Sequence, residues 1–406
     1  MPLSVDDIRQ AQARIAGAIY VSPCPESPAL SELTGCRVFC KLDSLQRTGS
    51  FKERGARNAL LQLSAQQRAA GVVAASAGNH ALALACHGRE LGISVTVVMP
   101  KFAPLVKVAT CRRFGASVVL HGADFAEAKE RADQLVAQQK LVYVHGFDDP
   151  AVIAGQGTIG LELLDQVPNL EAVIVPVGGA GLLAGVSLAI KSLKPAVQIV
   201  AVEDALMPAF SRSMAAGKVV HVAARPTLAD GLATTRPGDL AFAIARGCVD
   251  RVVAVTEDAI ALSILRLIEL EKTVVEGAAA TPLAALMSGQ LPELAGKTVA
   301  LLLCGGNIDP LILGRVIEIG LAADGRLVRL IATISDRPGG LAALAEAVAQ
   351  TGASIQQITH DRAFAGPDVS SVRVVCDLET DDRQHIARLK QTLSAKGIEF
   401  HWDANR

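Results

Sequence analysis

Lys52 follows the turn and helix-cap sequence Thr48-Gly49-Ser50, inside the stretch Leu45-Gln46-Arg47-Thr48-Gly49-Ser50-Phe51-Lys52-Glu53-Arg54-Gly55-Ala56. The apolar run Ala59-Leu60-Leu61 comes soon after. The pattern reads as a loop that ends in a helix, with a lysine held at the helix start. The positive end of a helix dipole disfavours a charged amine there. A neutral lysine amine is a nucleophile and can form a Schiff base. Most lysines near helix caps are solvated surface groups, so Lys52 alone does not make a site.

Three further stretches keep it company. Gly71 to Ser76 is a short apolar strand that runs into Ser76-Ala77-Gly78-Asn79-His80 and an alanine-rich helix. Strand, glycine turn and helix aim backbone N–H groups and an asparagine at a ligand, although the same pattern also serves plain helix capping. Ala172 to Val177 empties into Gly178-Gly179-Ala180-Gly181-Leu182, where successive glycines allow a backbone nest for a phosphate. A dinucleotide site also fits such a turn. However, Lys52 has no use there. Val299 to Leu303 ends at Cys304-Gly305-Gly306-Asn307, placing Cys304 at the carboxyl end of a strand, where parallel sheets bind ligands. Taken alone, Cys304 is equally a buried core thiol.

In this order the four stretches resemble the motifs of the fold-type II pyridoxal-phosphate enzymes. Over nearly the whole chain the sequence is most similar to the threonine/serine dehydratases, or threonine ammonia-lyases. The resemblance implies that Lys52 carries the cofactor as a Schiff base beside Phe51. It implies that Asn79 contacts the cofactor's 3-oxygen, that Gly178, Gly179, Ala180, Gly181 and Leu182 cradle its phosphate, and that Cys304 meets its pyridine nitrogen. Ser76, Ala77, Gly78, Asn79 and His80 would hold the carboxylate of a 3-hydroxy amino acid. The implied reaction turns L-threonine or L-serine into 2-oxobutanoate or pyruvate, with release of ammonia. Two departures stand out: Ala180 replaces a usual glycine, and Leu82 replaces a glutamine common after Gly-Asn-His-Ala in relatives. Two other readings compete. A racemase of the same fold would place an acid/base serine where this chain has Ala77. A catalytically dead amino-acid sensor would have no need for an intact Lys52 and three cofactor motifs.

The elements that must position these residues alternate strand and helix, which implies parallel sheets with right-handed crossovers. Val5 to about Ala18 is an amphipathic helix through Ile8, Ala11 and Ile15. Arg37 to Leu42, Val95 to Pro100, Gly115 to Leu120 and Ile199 to Glu203 read as strands. Leu228 to Ala233 resembles the dehydratase segment that borders the active site, and Val274 to Ala279 opens a helix. Some relatives bind a cation with a glutamate at Glu203 and a second acid. Ala205 to Phe210 offers none, so no metal is expected. The expected fold class is α/β: a tryptophan-synthase-β-like fold with two parallel-sheet subdomains spanning 1–318, the smaller one roughly at 48–145.

The composition changes after Arg315. Residues 319–326 read as a linker and 327–406 as a ferredoxin-like βαββαβ unit that resembles an ACT regulatory domain. The turn Asp336, Arg337, Pro338, Gly339, Gly340, Leu341 matches the ACT ligand loop. The resemblance implies an amino-acid effector, with isoleucine leading on the expectation of a role in isoleucine biosynthesis, and a homotetramer or homodimer.

Composition narrows the function classes. The 406 residues are too many for one hydrophobic core. Half are hydrophobic and only 3% aromatic, which suits helices packed on buried strands. A net charge of −1 offers nothing to nucleic acid or an anionic membrane. The eight cysteines lack CxxC or metal-like spacing and read as reduced thiols. No secretion signal or bilayer-length apolar run is visible, so a cytoplasmic location is expected.

Overall fold

Short apolar runs bounded by glycine, as in Val72 to Ala75 and Ala172 to Pro176, bury every side chain, which only a strand covered on both faces allows. The computed structural model describes residues 3–362 and 370–402 and divides into two units, residues 1–309 and 310–406. In chain order the strands of the first unit are β1 (Arg37–Lys41), β2 (Val72–Ala75), β3 (Val95–Met99), β4 (Ser117–Leu120), β5 (Val142–Tyr143), β6 (Ala172–Pro176), β7 (Gln198–Asp204), β8 (Arg251–Val255) and β9 (Thr298–Leu302). They form two wholly parallel sheets, ordered β1-β9-β6-β7-β8 and β4-β3-β2-β5. Parallel neighbours need crossovers, and helices supply them, so each sheet carries its loops at the carboxyl ends of its strands.

The helix Lys52–Leu61 follows the lysine loop directly. It packs against the helix Pro150–Gln166, and the backbones meet at Gly55 and Gly155. A Cβ on Gly155 would lie 2.6 Å from Arg54 O. That close approach brings Arg54 to Glu162. The guanidinium donates to both carboxylate oxygens of Asp43 at 2.8 Å, to Glu162 at 2.5 and 2.9 Å, and to Thr158 Oγ1 at 3.1 Å. Lys41 Nζ donates to Glu162 Oε2 at 2.5 Å, to Ser22 O and to Gln166 Oε1. All four charges are buried. Burial raises the Asp43 carboxyl, but the charge and hydrogen bonds of Arg54 outweigh it and hold the group below the usual carboxylate range.

In the second unit the helix Pro310–Asp324 takes in most of the expected linker, since its run of helix-forming residues continues past Arg315. The strands β10 (Leu327–Ser335), β11 (Ser354–Asp361), β12 (Ser371–Glu379) and β13 (Glu399–Trp402) form an antiparallel sheet ordered β11-β12-β10-β13. With the helices Gly340–Ala349 and Arg383–Ala395 the chain order is βαββαβ. Strand periodicity sets one face inward: Leu330, Ala332, Val372, Val374 and Cys376 pack with Leu344, Leu389 and Leu393. Among the described residues no helix is long and apolar enough to cross a membrane.

Removing one member of a buried ion network strands its partners. Arg54→Ala leaves Asp43 and Glu162 short of a counter-charge, and the expected loss is about 3–5 kcal/mol in denaturant unfolding. A variant as stable as the parent would show that the network contributes nothing.

Candidate active site

The carboxyl ends of β2, β6 and β9 lead into Ser76–His80, Gly178–Leu182 and Cys304, and the helix Lys52–Leu61 meets them there. These segments line a cavity of about 250 Å3, so the structure brings together every expected residue of the first unit. Phe51 N donates to Cys304 O at 2.9 Å, and Ser50 bridges Gly305, tying the lysine loop to the end of β9. Lys52 is the first residue of its helix and donates from Nζ to Gly146 O at 2.7 Å. Burial pushes its amine down to about 8 from the ordinary 10.5, against the pull of Cys304 and Glu276.

Asn79 opens the helix Asn79–Leu91, whose first N–H groups have no intrahelical acceptor. His80 Nε2 lies 3.0 Å from Val144 O and must donate to it, which leaves a lone pair on the buried, unpartnered Nδ1. Burial, then the Lys52 charge, push His80 down to about 3, so its ring stays neutral. The Cys304 thiol is pushed far up by burial and by Glu276. At the glycine turn, a Cβ on Gly179 would strike the Phe147 ring at 2.4 Å and one on Gly181 would strike Phe147 O at 2.4 Å. Ala180 has φ 70°, so the residue that departs from the usual glycine sits in the left-handed region.

Several lining residues escaped sequence reasoning. Gly146 and Phe147 lie just past the two-residue strand β5, too short to show a period. Thr234 presents a buried hydroxyl with no partner. Glu276, a lone buried acid at the start of an apolar helix, was the one legible signal. The turn Asp336–Leu341 lies in the second unit. There Gly339 has φ 100°, a Cβ on Gly340 would lie 2.1 Å from Ser335 O, and Asp336 pairs with Arg362 at 3.0 Å.

Residues 15–305 match the family model described as pyridoxal-phosphate-dependent enzyme. The chain belongs to that family. It is 43% identical to the L-threonine ammonia-lyase of Thermotoga maritima over 98% of both chains. It is 42% identical to the catabolic L-threonine dehydratase of Escherichia coli K12 over 79% of this chain and 96% of that one. A maize serine racemase structure superposes with a TM-score of 0.75 at 33% identity, covering 79% of this chain and 99% of the racemase. The enzyme is therefore pyridoxal-phosphate-dependent, with the fold-type II architecture. The cavity suits that group: it offers an amine of lowered basicity, a turn where side chains are excluded at Gly179 and Gly181, and an amide and a thiol in its wall.

A non-glycine residue in the left-handed region costs roughly 1–2 kcal/mol, partly offset by the extra freedom glycine gives the unfolded chain. Ala180→Gly is expected to stabilise the enzyme by about 0.5–1 kcal/mol in thermal unfolding. A drop in stability would mean that the Ala180 methyl makes contacts worth more than the strain.

Proposed function

We propose that this enzyme is a threonine ammonia-lyase, converting L-threonine to 2-oxobutanoate and ammonia, and L-serine to pyruvate. The observation that carries the reading is the buried Lys52 amine, held near neutrality in a cavity whose wall at Ala77 is only a methyl group. Lys52 would hold the cofactor through its amine, the glycine turn with Ala180 its phosphate, Asn79 its ring oxygen and Cys304 its ring nitrogen. Pyridoxal phosphate, when bound, supplies an electron sink that makes the substrate's α-proton acidic and its β-hydroxyl a better leaving group.

The remaining roles fall to the protein. A neutral Lys52 amine can accept the α-proton, and Gly146 O aligns it. The N–H groups at the start of the helix Asn79–Leu91 receive the substrate carboxylate. The Cys304 thiol stays protonated and would offer the ring nitrogen only a weak S–H bond, leaving the electron sink moderate, as β-elimination requires. Racemisation needs a proton donor on the face opposite Lys52, and the Ala77 methyl has none. The relatives named L-threonine ammonia-lyase and L-threonine dehydratase support this reading over the racemase likeness.

We further propose that the second unit is an ACT domain that binds an amino acid at Asp336–Leu341. Gly339, at φ 100° with nothing within 4 Å of where a Cβ would sit, leaves space for a ligand at the turn, while Gly340 lets the turn close on Ser335 O. The effector must bind one arrangement of the enzyme better than another. Isoleucine leads, ahead of valine and serine.

The enzyme is expected to form 2-oxobutanoate from L-threonine, and Lys52→Ala to abolish turnover while the protein still folds. Full activity in that variant would overturn the proposal. Chiral analysis of L-serine after incubation should find little D-serine, and more after Ala77→Ser; abundant D-serine from the parent favours the racemase. An effector should change activity by a few-fold to a hundred-fold, the range that a coupling of about 1–3 kcal/mol allows. Calorimetry showing no amino acid bound by the full chain outside the active site would make the unit purely structural.

A further inference from the structure

Glu276 is buried in the cavity wall just before the helix Gly277–Met287, and the scheme above leaves it without a task. Both its oxygens accept from one donor, Asn79 Nδ2, at 2.8 and 3.1 Å. The orientation of that amide follows from a backbone carbonyl. Thr48 O can only accept, so the Asn307 atom 2.7 Å away is Nδ2. The same Nδ2 lies 2.9 Å from Asn79, so the Asn79 atom facing it is Oδ1. Asn79 therefore turns Nδ2 toward Glu276. An amide nitrogen carries two hydrogens, and the second is left for the cavity that Asn79 lines.

We infer that Glu276 is a positioning residue that, with Asn307, locks the Asn79 amide so that one N–H is presented to the cofactor's ring oxygen. The inference rests on the reading that Asn79 faces that oxygen. The chain Thr48–Asn307–Asn79–Glu276 then ties the lysine loop, the loop after β9, the loop after β2 and the wall beneath them into one rail. Gly305 leaves room for it: a Cβ there would lie 2.2 Å from Glu276 Oε1, so any larger residue would displace the carboxylate.

Charge adds a pH dependence. Burial raises the Glu276 carboxyl to about 7. The Asn79 hydrogen bond lowers it, Asp230 raises it, and Lys107 and Lys52 lower it; Cys304, its thiol pushed far up, is the other titratable neighbour. Above about pH 7 both oxygens accept and the amide is locked; below, a proton occupies one oxygen and the lock loosens.

The test titrates pyridoxal phosphate into cofactor-stripped, full-length protein between pH 6 and 9, following the absorbance of the bound cofactor. Glu276→Ala is expected to bind it at least tenfold more weakly, with a shifted absorbance maximum. Added to Asn79→Ala, it should cost little more, because the two act through one contact. Glu276→Gln keeps one acceptor for Asn79, as the protonated acid does, so its affinity should match the parent's low-pH value throughout and the pH dependence near 7 should disappear. Parent-like affinity and absorbance in Glu276→Ala, or full additivity with Asn79→Ala, overturns the inference. If Glu276→Ala does not fold, Glu276→Gln decides: a pH profile unchanged from the parent's overturns it. Cofactor affinity is read without substrate, so this inference and the ammonia-lyase proposal can fail separately.

Discussion

Arg54, two residues beyond Lys52, is buried between Asp43 and Glu162. Taking ions out of water costs several kcal/mol each, and the cost is offset only where geometry and partners are nearly complete. Here they are: two cations face two anions, and the guanidinium meets both carboxylates in paired hydrogen bonds. The consequence reaches the active site. Residues two apart on a helix project about 200° apart, so seating Arg54 in the charged pocket turns Lys52 to the opposite side, where the cavity lies. The ion network sets the rotation of the helix, and the helix sets the amine.

The cavity has the reverse character. Burial has one cause and several effects there: it moves Lys52 down to about 8, His80 down to about 3, Glu276 up to about 7 and the Cys304 thiol far up. Each group moves toward its neutral form. Lys52 and Glu276 come within reach of neutral pH from opposite directions, so modest changes in either switch protonation. Two parallel sheets make this arrangement available, because both deliver turns at the carboxyl ends of their strands to one cavity.

What the sequence disclosed was local. Ser50-Phe51-Lys52, Ser76-Ala77-Gly78-Asn79-His80 and Gly178 to Leu182 are contiguous and legible as motifs, but none of the three helix starts has a side-chain cap, and Phe51 takes the cap position expected of Thr48-Gly49-Ser50. The periodicity of Ile8, Ala11 and Ile15 marked the first helix and its buried face. What stayed hidden depends on segments far apart in the chain. Arg54 looks like a surface residue until Glu162, on another helix, comes beside it. Gly146 O as the partner of Lys52, and the rail from Thr48 to Glu276, each join residues separated by 94 or more positions. The positive φ of Ala180 is invisible as well, because alanine carries no turn signal.

The central claim is that Lys52 is the residue that takes hold of pyridoxal phosphate. Borohydride reduction of the cofactor-loaded enzyme, followed by proteolysis and mass spectrometry, tests it directly. The account predicts a single phosphopyridoxyl label on the peptide carrying Ser50-Phe51-Lys52, located at Lys52. A label on any other lysine, or none at all with cofactor bound, would contradict it.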